Sequence, residues 1–251
     1  MTNVIIHGCG GKMGKVVERI VNSDPSCQVV AGIDPREGLT ADYPVFKSVN
    51  DCTVKGDVII DFSTASAIPT LLEYCKKTNT PAVLCTTGFS DELTAQVHED
   101  AKQVALLKSA NMSVGVNLIL SVVKKMAETL YDSGFDIEIV EKHHNQKIDA
   151  PSGTALAIAD SINEALGNKL EYVYDRSQVR QKRDRKELGI HAIRGGTIVG
   201  EHDIIFAGQD EVIELKHTAY SRAIFGKGAV SAALYLAGKD AGMYDMRDVI
   251  G

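Results

Sequence analysis

Short apolar runs alternate with amphipathic segments along the first part of the chain. The apolar runs are continuous, which is typical of strands covered on both faces, and they span 3–7, 27–33, 57–62, 81–87 and 104–109. The segments between them that carry apolar residues at helical spacing are predicted as helices, at 11–22, 65–77 and 91–103. Alternation of this kind implies parallel strands joined by right-handed crossovers. We therefore predict an α/β fold with a Rossmann-like doubly wound parallel sheet.

The pattern changes after residue 112. A long helix is predicted over 113–134, and a second helix over 154–166. Strand-like runs, in which period-two alternation is clearest at 135–144 and 210–219, occupy 135–144, 188–196, 201–208 and 210–219. A final amphipathic helix is predicted over 226–240, in the style of the first part. This predicts a second, α+β domain with an open mixed sheet over 113–224, and a first domain made of 1–112 and 225–251.

Composition and charge exclude several classes of protein. The 251 residues are 44% hydrophobic and 24% charged, with a net charge of −6, which gives no electrostatic reason to expect nucleic acid or an anionic membrane as a partner. No apolar run approaches the roughly 20 residues that a membrane span needs. The five cysteines are odd in number and lack Cys-x-x-Cys spacing, which argues against disulfides and against a bound metal. We expect a cytoplasmic protein.

The loop "GCGGKMG" at 8–14 follows a predicted strand and opens a predicted helix. Its glycines recur at Gly8, Gly11 and Gly14 rather than in the usual G-x-G-x-x-G frame, but they can still supply a tight turn, close approach to phosphate and helix–strand packing. Asp34 ends the second predicted strand, about 20 residues further on, where an acidic residue can accept the ribose hydroxyls of adenosine. These features predict a dinucleotide-binding site.

A second cluster, "EKHHNQKIDAPSGTA" at 141–155, runs from a strand end through a loop into a helix. Ser152 is a good helix N-cap, and the helix start at Ser152, Gly153 and Thr154 is suited to an anion. His143, His144 and Lys147 lie beside it in sequence and can donate protons or bind negative charge. In a chain that binds a dinucleotide, the cluster indicates an anionic substrate held near a proton donor.

The sequence resembles the 4-hydroxy-tetrahydrodipicolinate reductase family, also called the dihydrodipicolinate reductase family. The stretches that carry the resemblance extend from end to end of the chain: "GCGGKMG" (8–14), "DFS" (61–63), "CTTGF" (85–89), "SANMSVGVN" (109–117), "EKHHNQKIDAPSGTA" (141–155), "IRGGTIVGEHDIIFAG" (193–208) and "HTAYSRAIFGKGA" (217–229). The resemblance implies reduction of a small cyclic unsaturated dicarboxylate by NADH or NADPH, on the diaminopimelate and lysine pathway. It also implies a homotetramer built through the sheets of the second domain.

The resemblance also implies roles for individual residues. His143 would be the proton donor, assisted by Lys147, and His144, Gly153 and Thr154 would hold the substrate carboxylates with Ser152 at the same helix start. The cofactor would be lined by Gly8, Cys9, Gly10, Gly11, Lys12, Met13, Asp34, Cys85, Thr86, Thr87, Ser109, Ala110, Asn111 and Met112.

Two departures from the family pattern affect the cofactor site. Pro35 stands where members often carry an arginine that meets a 2′-phosphate, so we expect NADH to be used at least as well as NADPH, with Lys12 and Arg36 permitting some dual use. Cys85 stands where glycine is common, and its thiol raises the alternative of an acylating semialdehyde dehydrogenase with Cys85 as nucleophile. A non-catalytic dinucleotide sensor is a second alternative, although no output module is apparent. The charge-dense segment 175–187 is predicted as a solvated loop.

Overall fold

The computed structural model describes residues 1–251, which form two compact units. The first unit consists of Met1–Val114 with Ala223–Gly251, and the second of Gly115–Arg222. Strands and helices are numbered along the chain. No helix is both long and apolar enough to cross a bilayer.

The first unit is built on a parallel sheet of seven strands: β1 (Thr2–His7), β2 (Cys27–Ile33), β3 (Val45–Phe46), β4 (Val58–Asp61), β5 (Ala82–Leu84), β6 (Ala105–Lys108) and β12 (Gly242–Tyr244). The spatial order is β12-β6-β5-β4-β1-β2-β3. The chain therefore proceeds outward from β1 in one direction and then from β4 in the other. This places the point where the strand order reverses between β1 and β4, and in such sheets a ligand binds beyond the carboxyl ends at that point.

Helices cover both faces of this sheet. Apolar side chains of α1 (Lys12–Ser23), α6 (Ala223–Leu236) and α7 (Met246–Ile250) share one buried cluster with the strands. Those of α2 (Ile68–Thr78) and α3 (Asp91–Asp100) share the other. Because both faces are covered, all four residues of β4 are buried, as its continuous apolar run predicts. The predicted Rossmann-like architecture is confirmed.

The second unit contains a mixed sheet of five strands: β7 (Asp136–His143), β8 (Glu171–Val173), β9 (Glu187–Arg194), β10 (Gly200–Ala207) and β11 (Val212–Ala219). Its order is β11-β10-β7-β9-β8. β10 pairs antiparallel with β7 and β11, whereas β9 pairs parallel with β7 and β8. Helices α4 (Val114–Leu130) and α5 (Gly153–Ala165) share a buried cluster with alternate residues of these strands. The predicted α+β unit with an open mixed sheet is confirmed.

Several predicted boundaries were wrong. The long helix ends at Leu130 rather than 134, and the chain turns through Gly134, whose φ is +93°. The final long helix covers Ala223–Leu236 rather than 226–240, and Gly238 follows it at a φ of +79°. The predicted helix at 65–77 begins as a 3₁₀ turn, Ala65–Ala67, before α2. The predicted strand at 81–87 is reduced to β5, Ala82–Leu84.

The short elements β3, β8, β12 and α7 were not predicted, because two to five residues are too few to show a period. The segment 175–187 is irregular up to β9, as predicted, but it is more than a solvated loop. The guanidinium groups of Arg176 and Arg183 both bind the carboxylate of Glu138 on β7, at 2.7 Å and 2.9 Å. This anchors the loop to the sheet.

Candidate active site

The loop between β1 and α1 lies at the reversal point of the first sheet. Gly8 has a φ of +82°, and a Cβ there would lie 2.5 Å from the carbonyl oxygen of Phe62. A Cβ on Gly14 would lie 2.3 Å from the carbonyl oxygen of Gly8. Both positions therefore require glycine. Gly11 is the N-cap of α1 and no side chain caps the helix, so its leading N–H groups can bind phosphate. The variant spacing of the glycines therefore still builds a tight loop whose amides are free of side-chain caps, which is the geometry that a phosphate-binding loop needs.

Asp34 follows β2 and points at this loop. Its carboxylate is 3% exposed and accepts hydrogen bonds from the Gly10 amide at 3.0 Å and from Arg36, through Nε at 2.8 Å and Nη2 at 2.7 Å. The Arg36 hydrogen bonds, with the loop amides, lower the pKa of Asp34 to about 2. Although Pro35 carries no charge, a cation is still present beside the Asp34 carboxylate, because the Arg36 side chain folds back onto it. Arg36 itself is 55% exposed and can meet a ligand.

Polar groups also line the carboxyl ends of the neighbouring strands. His7 ends β1 and Asp61 ends β4, and His7 Nδ1 lies 2.9 Å from Asp61 Oδ1. Thr86 is buried and its hydroxyl has no hydrogen-bond partner within the protein. A buried hydroxyl of this kind fits a site that is completed by a ligand. Sequence reasoning missed His7 as a site residue, although its position at the end of a strand beside the glycine loop was a usable signal.

Cys85 precedes Thr86 after β5. Burial raises the pKa of the Cys85 thiol well above its usual range, with a smaller contribution from the Asp61 carboxylate. A nucleophilic cysteine needs the opposite shift, toward the thiolate. The direction of this pKa shift therefore argues against the acylating dehydrogenase alternative.

The remaining predicted cofactor residues lie just before α4. Met112 is 5% exposed, and its carbonyl oxygen would lie 1.6 Å from a Cβ on Gly228 of α6. The side-chain oxygen of Asn111 accepts a hydrogen bond from the Ser113 amide at 2.8 Å. The close approach to α6 fixes the backbone of this segment within the first unit. All the residues predicted to bind cofactor thus belong to the first unit.

The second cluster of predicted residues belongs to the second unit. His143 ends β7 and its Nδ1 lies 2.6 Å from Glu141 Oε2. Ser152 is the N-cap of α5, where its hydroxyl accepts a hydrogen bond from the Ala155 amide at 3.1 Å. The Ser152 amide in turn donates to Glu141 Oε1 at 2.9 Å. The structure therefore brings His143 and the helix start together through one carboxylate.

Lys147 lies in the loop between β7 and α5. Its amide donates to the carbonyl of His144 at 3.1 Å, and its ammonium group lies 2.8 Å from the carboxylate of Asp149. That ammonium group, with the Gly153 amide among the smaller causes, lowers the pKa of Asp149. No heavy atom lies within 4 Å of where a Cβ on Gly153 would be, so the helix start is open on that side. Lys147 and the α5 N-terminus thus already bind a carboxylate of the chain itself.

Three further residues of this site were missed by sequence reasoning. Glu141 on β7 and His202 on β10 occupy inward positions of strands whose other inward residues are mostly apolar, and this exception to the alternation was the available signal. His202 Nε2 lies 3.0 Å from Ser152 Oγ, and burial, with His143 nearby, lowers the pKa of His202 to about 4. Arg194, which ends β9, binds both oxygens of Glu141. Only the parallel pairing of β7 with β9 brings it there.

Comparison with known proteins identifies the fold and the family of this chain. The chain belongs to the class of two-unit α/β proteins with a Rossmann-like unit. GenD2 from gentamicin A biosynthesis, solved in complex with NAD, shares this fold with a TM-score of 0.56 and 13% identity. The match covers 99% of this chain and 90% of GenD2. The family models for the dihydrodipicolinate reductase N-terminus and C-terminus match residues 2–112 and 115–250. The chain belongs to the dihydrodipicolinate reductase family, as the resemblance predicted. It is therefore an oxidoreductase.

Individual relatives agree with this membership. The 4-hydroxy-tetrahydrodipicolinate reductases of Caldanaerobacter subterraneus subsp. tengcongensis and Clostridium novyi are 51% and 49% identical to the chain over 250 residues, which is 100% of this chain and 98% of each relative. The dipicolinate-bound dihydrodipicolinate reductase from Paenisporosarcina sp. TG-14 has a TM-score of 0.83 at 25% identity, with 100% of both chains covered.

Proposed function

We propose that this chain reduces 4-hydroxy-tetrahydrodipicolinate to tetrahydrodipicolinate with NADH or NADPH, in diaminopimelate and lysine biosynthesis. The observation that carries the proposal is the second-unit cluster, in which a buried histidine and an open helix N-terminus are joined through the Glu141 carboxylate. Lys147 lies in the same loop and is paired with Asp149. Nearly full-length relatives named for this activity support it. The direct test is oxidation of NADH when a coupled synthase supplies the substrate. A non-catalytic sensor would show none.

We assign the cofactor to the domain formed by 1–112 and 225–251, and the substrate and oligomer contacts to the domain formed by 113–224. The glycine loop that a Cβ would fill, the uncapped α1 N-terminus and the unpartnered Thr86 hydroxyl fit a dinucleotide. The remaining cofactor contacts are those predicted from the sequence, from Gly8 to Met13, at Asp34, from Cys85 to Thr87 and from Ser109 to Met112. When bound, the nicotinamide supplies hydride.

The second unit supplies the rest of the chemistry. Hydride addition to a conjugated C=N system leaves electron density that a proton must quench, and His143 is the donor. Lys147 assists through its charge, and His144, Ser152, Gly153 and Thr154 hold the substrate carboxylates. The helix N-terminus favours negative charge there, as the position of Asp149 already illustrates. A bound substrate carboxylate would compete with Asp149 for Lys147.

Planar dicarboxylates should inhibit competitively with substrate. A solved relative is named as bound to dipicolinate, which is pyridine-2,6-dicarboxylate, and the same compound is the probe for this chain. Losing a hydrogen bond to a charged group costs about 1.5–3 kcal/mol, so Thr154→Val should weaken inhibition tenfold or more. Thr154→Ser keeps the hydroxyl and is the matched control, for which we expect an inhibition constant close to wild type. Equal inhibition of wild type and Thr154→Val would place the carboxylate site elsewhere.

We expect NADH to be used at least as well as NADPH. Asp34 can accept ribose hydroxyls but repels a 2′-phosphate, whereas Arg36 neutralises part of that charge and permits some use of NADPH. Arg36→Ala should therefore lower kcat/KM for NADPH by roughly tenfold and change that for NADH much less. Steady-state kinetics with both cofactors measure this. A wild-type preference for NADPH above tenfold, about 1.4 kcal/mol, would contradict the assignment.

We also propose that the chain assembles as a homotetramer through the second-unit sheets. The support is that helices α4 and α5 share a core with one face of that sheet, and the other face carries an ion-paired array centred on Glu138, Lys142 and Asp203. Sedimentation velocity tests it, since a monomer or dimer would contradict it. The cytoplasmic location stays a prediction.

A further inference from the structure

Glu141 is a buried carboxylate that takes no part in the proposed binding of cofactor or substrate or in the proposed donation of the proton. Its side chain is 0% exposed, and it lies on the inward face of β7, two residues before His143. Four nitrogen atoms lie within hydrogen-bond distance of the carboxylate: Arg194 Nη1 at 2.8 Å and Nη2 at 2.7 Å, the Ser152 amide at 2.9 Å and His143 Nδ1 at 2.6 Å. A buried charge is stable only when it is paired and hydrogen-bonded in this way.

The ionised state of Glu141 follows from these contacts. Burial alone would raise its pKa, but the hydrogen bonds from Arg194, His143 and the Ser152 amide outweigh burial and lower the pKa of this carboxyl. An ionised carboxylate has no proton to donate and can only accept. The Nδ1 atom of His143, at 2.6 Å, must therefore carry a hydrogen in both the neutral and the charged ring.

The hydrogen bond from His143 Nδ1 to Glu141 determines which ring nitrogen can exchange a proton. With Nδ1–H committed to Glu141, Nε2 is the atom that is bare in the neutral ring and protonated in the charged one. His143 Nε2 lies against the start of β10, where a Cβ on Gly200 would be only 3.0 Å away. Glycine at this position thus leaves room for the ring in the orientation that Glu141 imposes.

The other charged groups around His143 do not compete for Nδ1. His202 on β10 has its ring centroid 5.3 Å away and directs Nε2 to Ser152 Oγ, and its low pKa keeps it neutral. His217 on β11 contacts His202, and burial lowers its pKa as well. Lys147, in the loop after β7, is paired with Asp149, and Arg194 on β9 is bound to Glu141. Glu141 is the negative charge in direct contact with the ring.

We propose that Glu141 is a positioning residue that holds His143 with a hydrogen on Nδ1, so that Nε2 is the proton-transferring atom, and that Arg194 holds Glu141 in place. The inference rests on the proposed role of His143 as proton donor. The same carboxylate binds the Ser152 amide at the start of α5, and it therefore couples the orientation of the donor to the helix N-terminus proposed to bind substrate.

The first test is the pH dependence of kcat. An acid catalyst loses activity as pH rises through its pKa, and a carboxylate in contact favours the charged form of a cationic acid. Glu141→Gln removes that charge, so the alkaline midpoint of kcat should move to lower pH. Glu138→Gln is the matched control, because Glu138 lies on the same strand in a comparable cluster with His191 and Arg176 but on the opposite face. Its midpoint should not move.

The second test needs no variant and stands even where Glu141→Gln fails to fold. Neutron diffraction from a deuterated crystal of the wild-type protein, grown above the midpoint, should show deuterium on Nδ1 of His143 and none on Nε2. Deuterium on Nε2 alone would overturn the inference, as would an unmoved midpoint in folded Glu141→Gln. Failure of the proposed function is seen separately, as no NADH oxidation with the coupled synthase, and failure of the proposed role of His143 as near-wild-type turnover in His143→Ala. An essential His143 with deuterium on Nε2 would leave proton donation standing and reject only the role of Glu141.

Discussion

His143→Ala should lower kcat by roughly 10²–10⁴, the usual scale for a lost general acid, and leave the dissociation constant for NADH within a few-fold of wild type. The reason for the second expectation is that His143 ends β7 in the second unit, whereas the glycine loop that we assign to the cofactor belongs to the first. Stopped-flow measurement of hydride transfer and calorimetric titration of NADH report the two effects separately.

Two further variants distinguish the role of His143 from that of Lys147 and from the nonspecific effect of removing a histidine. Lys147→Ala should lower kcat and also raise KM for the substrate, because its charge would steady a carboxylate as well as assist the transferred proton. His98→Ala is the control, since His98 lies on α3 in the first unit, away from the assigned groups, and turnover should be unchanged. Near-wild-type turnover in His143→Ala would leave Lys147 as the donor. Loss of NADH binding in that variant would contradict the division of roles between the units.

Gly14→Ala should lower both the melting temperature and the affinity for NADH. The added methyl carbon would lie 2.3 Å from the carbonyl oxygen of Gly8 and 2.8 Å from two backbone atoms of Cys9. Overpacking of this kind typically costs about 1–3 kcal/mol, or several degrees of Tm in a chain of this size. Because backbone cannot yield as a side chain can, the phosphate-binding loop itself must move, and we expect NADH to bind at least tenfold more weakly. Thermal denaturation and NADH titration measure the two losses.

The control for this substitution lies in the same loop. A methyl group on Gly10 would meet Arg36 Nη2 and Leu39 Cδ1, both at 2.8 Å, and these are the ends of flexible side chains that can turn away. Gly10→Ala should therefore cause a much smaller decrease in Tm. If the two variants melt at the same temperature, close packing against backbone is not what requires glycine at position 14.

Helices and strands long enough to show a repeating hydrophobic pattern could be predicted from the sequence, and short ones could not. Continuous apolar runs identified β1, β2 and β4, because strands buried on both faces have no polar side to interrupt the run. β12 could not be predicted, because its three residues become a strand only by pairing with β6. The helix ends were misplaced where a glycine at positive φ, such as Gly134, stops the chain.

The sequence by itself determined the family, the two kinds of sheet and the local chemistry: a glycine loop before a helix, and His143, Lys147 and Ser152 within ten residues of one another. These are contiguous motifs, and their spacing follows directly from helix and strand geometry. Only the tertiary structure decided that Arg36 folds back onto Asp34, and that Glu141 meets Arg194 and the start of α5. The contacts of Glu141 join residues far apart in the chain, and strand register rather than sequence distance sets which side chains meet across a sheet.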